Sequence, residues 1–108
     1  MPYVDTPALK IQVTATATAL GIEIGGEVDV YNRDTLTAAL AAIDFDAADA
    51  VSLDLRQLTF CDTAGCWALL VFEREARLSG HPTNVRGATS TLHWLLSFLA
   101  DGDPLTFV

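Results

Sequence analysis

The residues best placed to do chemistry crowd into Phe60-Cys61-Asp62-Thr63-Ala64-Gly65-Cys66, between an apolar strand pattern and a very apolar helical run. Thr63 falls at or within one residue of the N-cap of that helix. A hydroxyl there can accept a hydrogen bond from an orphan backbone N–H, which stabilises by about 1 kcal/mol. The same position suits a phosphate acceptor. Helix N-termini hold phosphoryl groups through free N–H groups and the positive end of the dipole. A phosphate on Thr63 would set about two negative charges beside Asp62 and change the surface a partner meets. Cap and phosphate acceptor both stay open on spacing alone.

Other chemistries fit less well. Asp62-Thr63-Ala64-Gly65 has a superficial likeness to the Asp-Thr-Gly of aspartic proteases, and the chain length suits a dimeric one. The extra Ala breaks that motif, and a helical run is wrong for a β-rich protease. Cys61 and Cys66 could form a redox pair or supply a nucleophile, but a reactive thiol needs a base or cations nearby. The local sequence offers only Asp62, so buried, reduced packing thiols are expected. His81 follows Gly80 in a turn and His93 sits on a later helix. Without Cys-His clustering no zinc site is expected, and both are read as solvent-facing or capping. No glycine-rich phosphate loop occurs, so nucleotide hydrolysis is not expected. The sequence thus offers no catalytic residue, metal ligand or cofactor site.

The elements that must hold Thr63 follow from periodicity. Ile11, Val13, Ala15, Ala17 and Ala19 alternate with polar residues, the period of a half-buried strand. Leu20, Ile22 and Ile24 continue the alternation to Gly25-Gly26, read as the strand's end. The two pieces form a hairpin whose turn, near Thr16–Thr18, lacks the usual Gly or Asn. Asn32 is a good N-cap for a helix with Leu36, Ala39, Leu40 and Ile43 on one face. Ala50–Leu55 is a strand. The helix after Asp62-Thr63 runs to about Leu78, with Gly80 as its stop and Pro82 beyond. Its Glu73-Arg74-Glu75-Ala76-Arg77 run reads as a solvated face. Thr83–Arg86 is a short strand. Ser90 caps a third helix with a Leu92, Leu95, Leu96, Leu99 stripe, and Leu105–Val108 is a terminal extended piece. Trp94 and Phe98 stand beside that stripe, as core packing or as a partner anchor. Strands alternating with helices after a hairpin indicate an α/β domain with a mixed sheet.

Bulk properties narrow the partners. The 108 residues fit one domain, and 51% hydrophobic content is enough for one core. With net charge −8 and six Lys plus Arg, nucleic acid and anionic membrane surfaces are poor partners, and a basic protein is a better one. The longest apolar stretch, Cys66–Phe72, is far short of the roughly 20 residues that span a bilayer, and the N-terminus lacks the form of a secretory signal. A soluble, cytoplasmic protein without membrane insertion is therefore expected.

The stretch LDLRQLTFCDTAGCWALL resembles the signature of STAS domains, D-L-S-x-L-x-F-x-D-(S/T)-x-G-L-x-x-L, which spans a phosphorylation site. Gly26-Glu27-Val28-Asp29 is similar to the family's G-E-L-D after the second strand. Gly80 and Val85-Arg-Gly-Ala88 resemble its fourth-strand region. The likeness covers about residues 8–100 of a single domain, 1–108. It implies an α/β fold with a mixed four- to five-stranded sheet and about three helices mainly on one face. It also implies a non-enzymatic module regulated through Thr63, with Asp62, Thr63, Ala64, Gly65, Trp67 and Asp29 at the partner contact.

Two branches of the family fit. Anti-sigma factor antagonists bind a Ser/Thr kinase anti-sigma factor and release the sigma factor; phosphorylation abolishes binding and a phosphatase restores it. In the other branch the domain is an accessory of ABC-type phospholipid transporters, packed on the ATPase or permease. Asp62–Gly65 with Cys66–Leu70 and Arg86-Gly87-Ala88 look somewhat more like the second branch. Cys66-Trp67 replaces the usual Leu-Gly, setting an indole one turn from Thr63. The sequence ends soon after the third helix, so the family's last helix is expected to be missing. A homodimer stays admissible.

Overall fold

The computed structural model describes residues 2–46 and 48–108. Its strands are β1 (Pro2–Asp5), β2 (Leu9–Ala15), β3 (Ala19–Val28), β4 (Ala50–Asp54), β5 (Leu58–Cys61) and β6 (Thr83–Arg86). Its helices are α1 (Arg33–Ala41), α2 (Thr63–Leu78) and α3 (Ser90–Ala100). The sheet runs β1-β2-β3-β4-β6, with β5 also paired to β3. The β1/β2 and β2/β3 pairs are antiparallel, whereas β3/β4, β3/β5 and β4/β6 are parallel. The mixed sheet and three helices are those the sequence predicts, but the sheet holds six strands. β1 and β5 are the two that the sequence pattern does not announce.

Strand alternation builds the core. Leu9 and Ile11, Leu20, Ile22 and Ile24, and Val51 and Leu53 are buried, while Lys10, Gln12, Thr14 and Glu23 on the other face are exposed. Leu36 and Leu40 of α1, Leu69 and Phe72 of α2, and Leu92 and Leu96 of α3 complete the core. The turn between β2 and β3 needs no glycine, because Thr16 Oγ1 accepts the Thr18 and Ala19 N–H groups at 3.4 and 3.0 Å. This is a hydroxyl doing the work of an Asx turn.

Several boundaries differ from expectation, each for a physical reason. β3 does not stop at Gly25-Gly26. It pairs with β4 up to Glu23, shifts register at Gly26/Glu27, and then pairs with β5 as far as Val28. Gly26 has φ +99°, and a Cβ there would lie 2.1 Å from the Ala8 carbonyl oxygen, so only glycine fits this bulge. Asn32 stands at the N-cap of α1 without capping it. Its side chain instead accepts from Asp29 N–H (2.9 Å) and donates to the Glu27 carbonyl (2.8 Å), fixing the β3–α1 loop. α3 is capped by Thr89 rather than Ser90. Gly80 does end α2: with φ +90° it closes a Schellman motif, His81 N–H to Ala76 O at 3.0 Å and Gly80 N–H to Arg77 O at 3.1 Å. Glu73 is not on a solvated face; it is 2% exposed and holds Arg77 at 3.0 Å. The terminal segment lies along β6, with a parallel bridge between Val85 and Phe107.

Candidate functional site

The parallel pairing of β3 with β5 sets two loops side by side. Val28 pairs with Cys61, and the chain leaves these strand ends as Asp29–Asn32 on one side and Asp62 on the other. Asp62 N–H bonds the Val28 carbonyl at 3.0 Å, tying the second loop to β3.

Asp62 is the N-cap of α2, with extended backbone (φ −71°, ψ 170°). Its Oδ1 accepts the Gly65 N–H at 2.7 Å. Its Oδ2 takes the Arg33 guanidinium at 3.2 Å, in a pair whose side chains are 24% and 39% exposed. Both oxygens of this carboxylate are therefore occupied in holding the helix start. Thr63 is the first helical residue, not the cap. It is exposed, and among the described residues its hydroxyl has no hydrogen-bond partner. Of the two readings of this hydroxyl, the cap is excluded because Asp62 fills that role.

Gly65 lies buried under this corner. A Cβ there would meet Val28 Cγ1 at 2.6 Å and Cys61 Sγ at 2.7 Å, so its contribution is close packing rather than surface contact. Cys61 and Cys66 occupy the positions before the cap and four residues into the helix, where an apolar pair staples the chain entry. Both are buried, and the Cys66 thiol points at the Cys61 carbonyl, 3.8 Å away. The neighbouring Cys66 sulfur, and then burial, hold the Cys61 thiol well above its ordinary value, so it stays protonated. These are packing thiols, as expected.

One turn beyond Thr63, Trp67 is 48% exposed, and Val71 continues that side of α2. Between α1 and α2 runs an apolar groove of about 320 Å³, with Leu40 and Ala41 on one side and Ala64, Trp67, Ala68 and Val71 on the other. Ala64 is exposed beside it. Asp29 is half-buried, its carboxylate accepting the Tyr31 N–H at 3.0 Å. The structure thus gathers Thr63, Ala64 and Trp67 on one surface, with Asp62 and Asp29 shaping its corner and Gly65 beneath.

Sequence reasoning missed Arg33, Val30, Tyr31 and Phe60. Val30, Tyr31 and Phe60 are 60%, 93% and 52% exposed around the same strand ends. The only available signal was a Val-Tyr pair in a loop directly after Gly-Glu-Val-Asp. Phe60 became legible only once β5 was known to be a strand. His81 also departs from expectation: its ring packs edge-on against Phe45 and Nδ1 lies 2.7 Å from the Ala48 carbonyl oxygen. His93 is exposed, its ring tilted by 34° against that of Phe107 with centroids 3.9 Å apart. Trp94 and Phe98 are exposed, not core. Among the described residues no group of His, Cys, Asp and Glu is placed to hold a metal ion, and no helix is long and apolar enough to cross a membrane.

The fold is that of a STAS-type α/β module. The family model described as "Mlab, STAS domain" matches residues 11–101, and the chain belongs to the STAS domain family. Solved structures agree on the fold. The anti-sigma factor antagonist SpoIIAA in its unphosphorylated form matches with TM-score 0.69 at 20% identity, over 91% of this chain and 86% of that one. The Bacillus protein has also been solved in its phosphorylated form. An anti-sigma factor antagonist from Mycobacterium paratuberculosis matches with TM-score 0.68 at 21% identity, over 95% and 90% of the two chains. A sulfate transporter family protein from Wolinella succinogenes matches with TM-score 0.64 at 21% identity, over 87% and 80%. No curated protein matches in sequence.

Proposed function

We propose that this chain is a non-enzymatic regulatory module of the anti-sigma factor antagonist kind, which docks a protein partner through the start of α2 and is switched by phosphorylation of Thr63. One observation carries the reading: Asp62 caps α2, leaving the exposed Thr63 hydroxyl without a structural task. A solvent-facing hydroxyl at the first position of a helix suits modification, because phosphate there is favoured by the dipole. Arg33, already within 3.2 Å of Asp62, supplies a cation in the same corner. Trp67 and the adjoining apolar groove are the anchor a partner would bury. The likeness to SpoIIAA, an anti-sigma factor antagonist solved with and without phosphate, supports an anti-sigma factor as partner.

A second reading has its own support. The matching family model is the Mlab type, and Cys66-Trp67 stands in place of the family's usual Leu-Gly beside Thr63. In that reading the same face packs on the ATPase or permease of an ABC phospholipid transporter.

Affinity capture with the tagged chain from its own cells, followed by mass spectrometry, separates the two. A protein with a kinase-type ATP site, lost when the bait carries Thr63→Glu, supports the first reading. Capture of a transporter ATPase or permease supports the second. Phosphate found only at residues other than Thr63 after incubation with the captured kinase would remove the switch.

A further inference from the structure

Arg33 ties the starts of two helices together. It is the first residue of α1, and its backbone N–H is held by the Asp29 carbonyl at 3.0 Å. Its Nη1 reaches Asp62 Oδ2 at 3.2 Å, and among the described residues it is the only cation that pairs with Asp62. The bond is long and one-armed. Arg56, by contrast, grips Asp54 with Nε and Nη2 at 3.0 and 2.6 Å. A guanidinium carries five N–H donors, and Arg33 commits one of them while its side chain stays 39% exposed. The carboxylate it touches is itself shared, since Asp62 Oδ1 already accepts the Gly65 N–H at 2.7 Å. Of the other carboxylates on this loop and helix start, Asp29 is engaged by the Tyr31 N–H and Asp34 is exposed.

We propose that Arg33 senses the state of Thr63 by changing partners: it pairs with Asp62 in the unmodified chain and moves to the phosphate once Thr63 carries one. The inference rests on the Thr63 switch proposed above. In that switch a phosphoryl group passes from a nucleoside triphosphate to Thr63 Oγ1, the nucleoside diphosphate leaves and the hydroxyl proton is lost. A phosphate brings about two negative charges and three acceptor oxygens one residue from Asp62. The carboxylate offers Arg33 one charge and one oxygen. Guanidinium binds phosphate in a short, two-armed fork, so the stronger acceptor takes the cation. The anchored backbone of Arg33 stays in place and only its side chain swings. Asp62 keeps its cap but loses its counter-ion. A partner fitted to the Arg33–Asp62 pair then meets two changes, an added phosphate and a rearranged ion pair. Arg33 is thereby a positioning residue for the switch.

Phosphorus NMR of the full chain, synthesised with phosphothreonine at position 63 and titrated from about pH 4 to about pH 9, tests this. A nearby cation favours the dianion, so the phosphate should titrate below the roughly 6 of a free phosphothreonine. Arg33→Gln should raise that pKa by at least about 0.5. Asp62→Asn, which retains a capping side chain, removes the competing carboxylate. If Arg33 has already left Asp62, Arg33→Gln raises the pKa equally, within about 0.2, with or without Asp62→Asn. A rise below about 0.5, or one that grows further in the Asp62→Asn background, would overturn the exchange. Should Arg33→Gln fail to fold, the isotope-labelled unaltered chain decides. Its Arg33 guanidinium signals should move with the phosphate titration, and signals that do not follow it contradict the proposal. The phosphate is built in during synthesis, so these outcomes hold whether or not a kinase reaches Thr63. Partner capture tests that reading separately.

Discussion

Two helix starts in this molecule use the same residue type in opposite ways. At α3, Thr89 is the N-cap and its hydroxyl accepts the Leu92 N–H at 3.2 Å. At α2, Asp62 is the N-cap, accepting the Gly65 N–H at 2.7 Å, and Thr63 comes one residue later with its hydroxyl exposed. A threonine beside a helix start reads identically in both segments. What differs is the residue before it. Ala88 cannot cap a helix, whereas Asp62 can, and does so through a charge-assisted bond. Displacing a threonine by one position behind an aspartate turns it from a structural group into an available one.

Substitutions that break or sharpen this contrast form a ranked series, each read by equilibrium denaturant unfolding. The largest effect is expected from Gly65→Ala. A methyl group would press on Val28 and Cys61 at under 3 Å, and overpacking should cost about 2 kcal/mol despite the better helix propensity of alanine. Asp62→Ala should follow, losing the cap and the partly exposed Arg33 pair for about 1.5 kcal/mol in total. Thr89→Ala removes a cap alone and should cost about 1 kcal/mol. Thr63→Ala should come last, below about 0.5 kcal/mol, as for an exposed position without a structural bond. If Thr63→Ala cost as much as Thr89→Ala, the two threonines would be equivalent and the contrast would fail.

The sequence made the segment legible but not its division of labour. Alternation located β2, β3 and β4, and the Leu36/Leu40 and Leu92/Leu96 spacing located α1 and α3, because burial imposes a period wherever one face meets the core. Gly80 announced the end of α2 because few residues other than glycine accept positive φ there. β5 was hidden because its four residues, buried only at Leu58 and Cys61, follow no period of two. In the sequence Gly25-Gly26 reads as the end of β3 because a glycine pair marks a turn as readily as a bulge. Polarity reads Glu73 as solvated and His81 as solvent-facing or capping. Glu73 is instead buried and paired with Arg77 one turn on in the same helix, and His81 packs on Phe45 with the Ala48 carbonyl at its Nδ1. Asp62 and Thr63 stand out in the sequence as a pair, but which of them caps the helix depends on backbone geometry at a single residue.

The most direct test of this account compares stability and partner capture in a single variant, Thr63→Glu. A carboxylate at the first position of α2 is favourable to the helix dipole, so the unfolding free energy should stay within about 0.5 kcal/mol of the unaltered chain. Capture of the protein partner should fall at least about tenfold. Undiminished capture by a stable Thr63→Glu protein would contradict the claim that this hydroxyl stands at the contact.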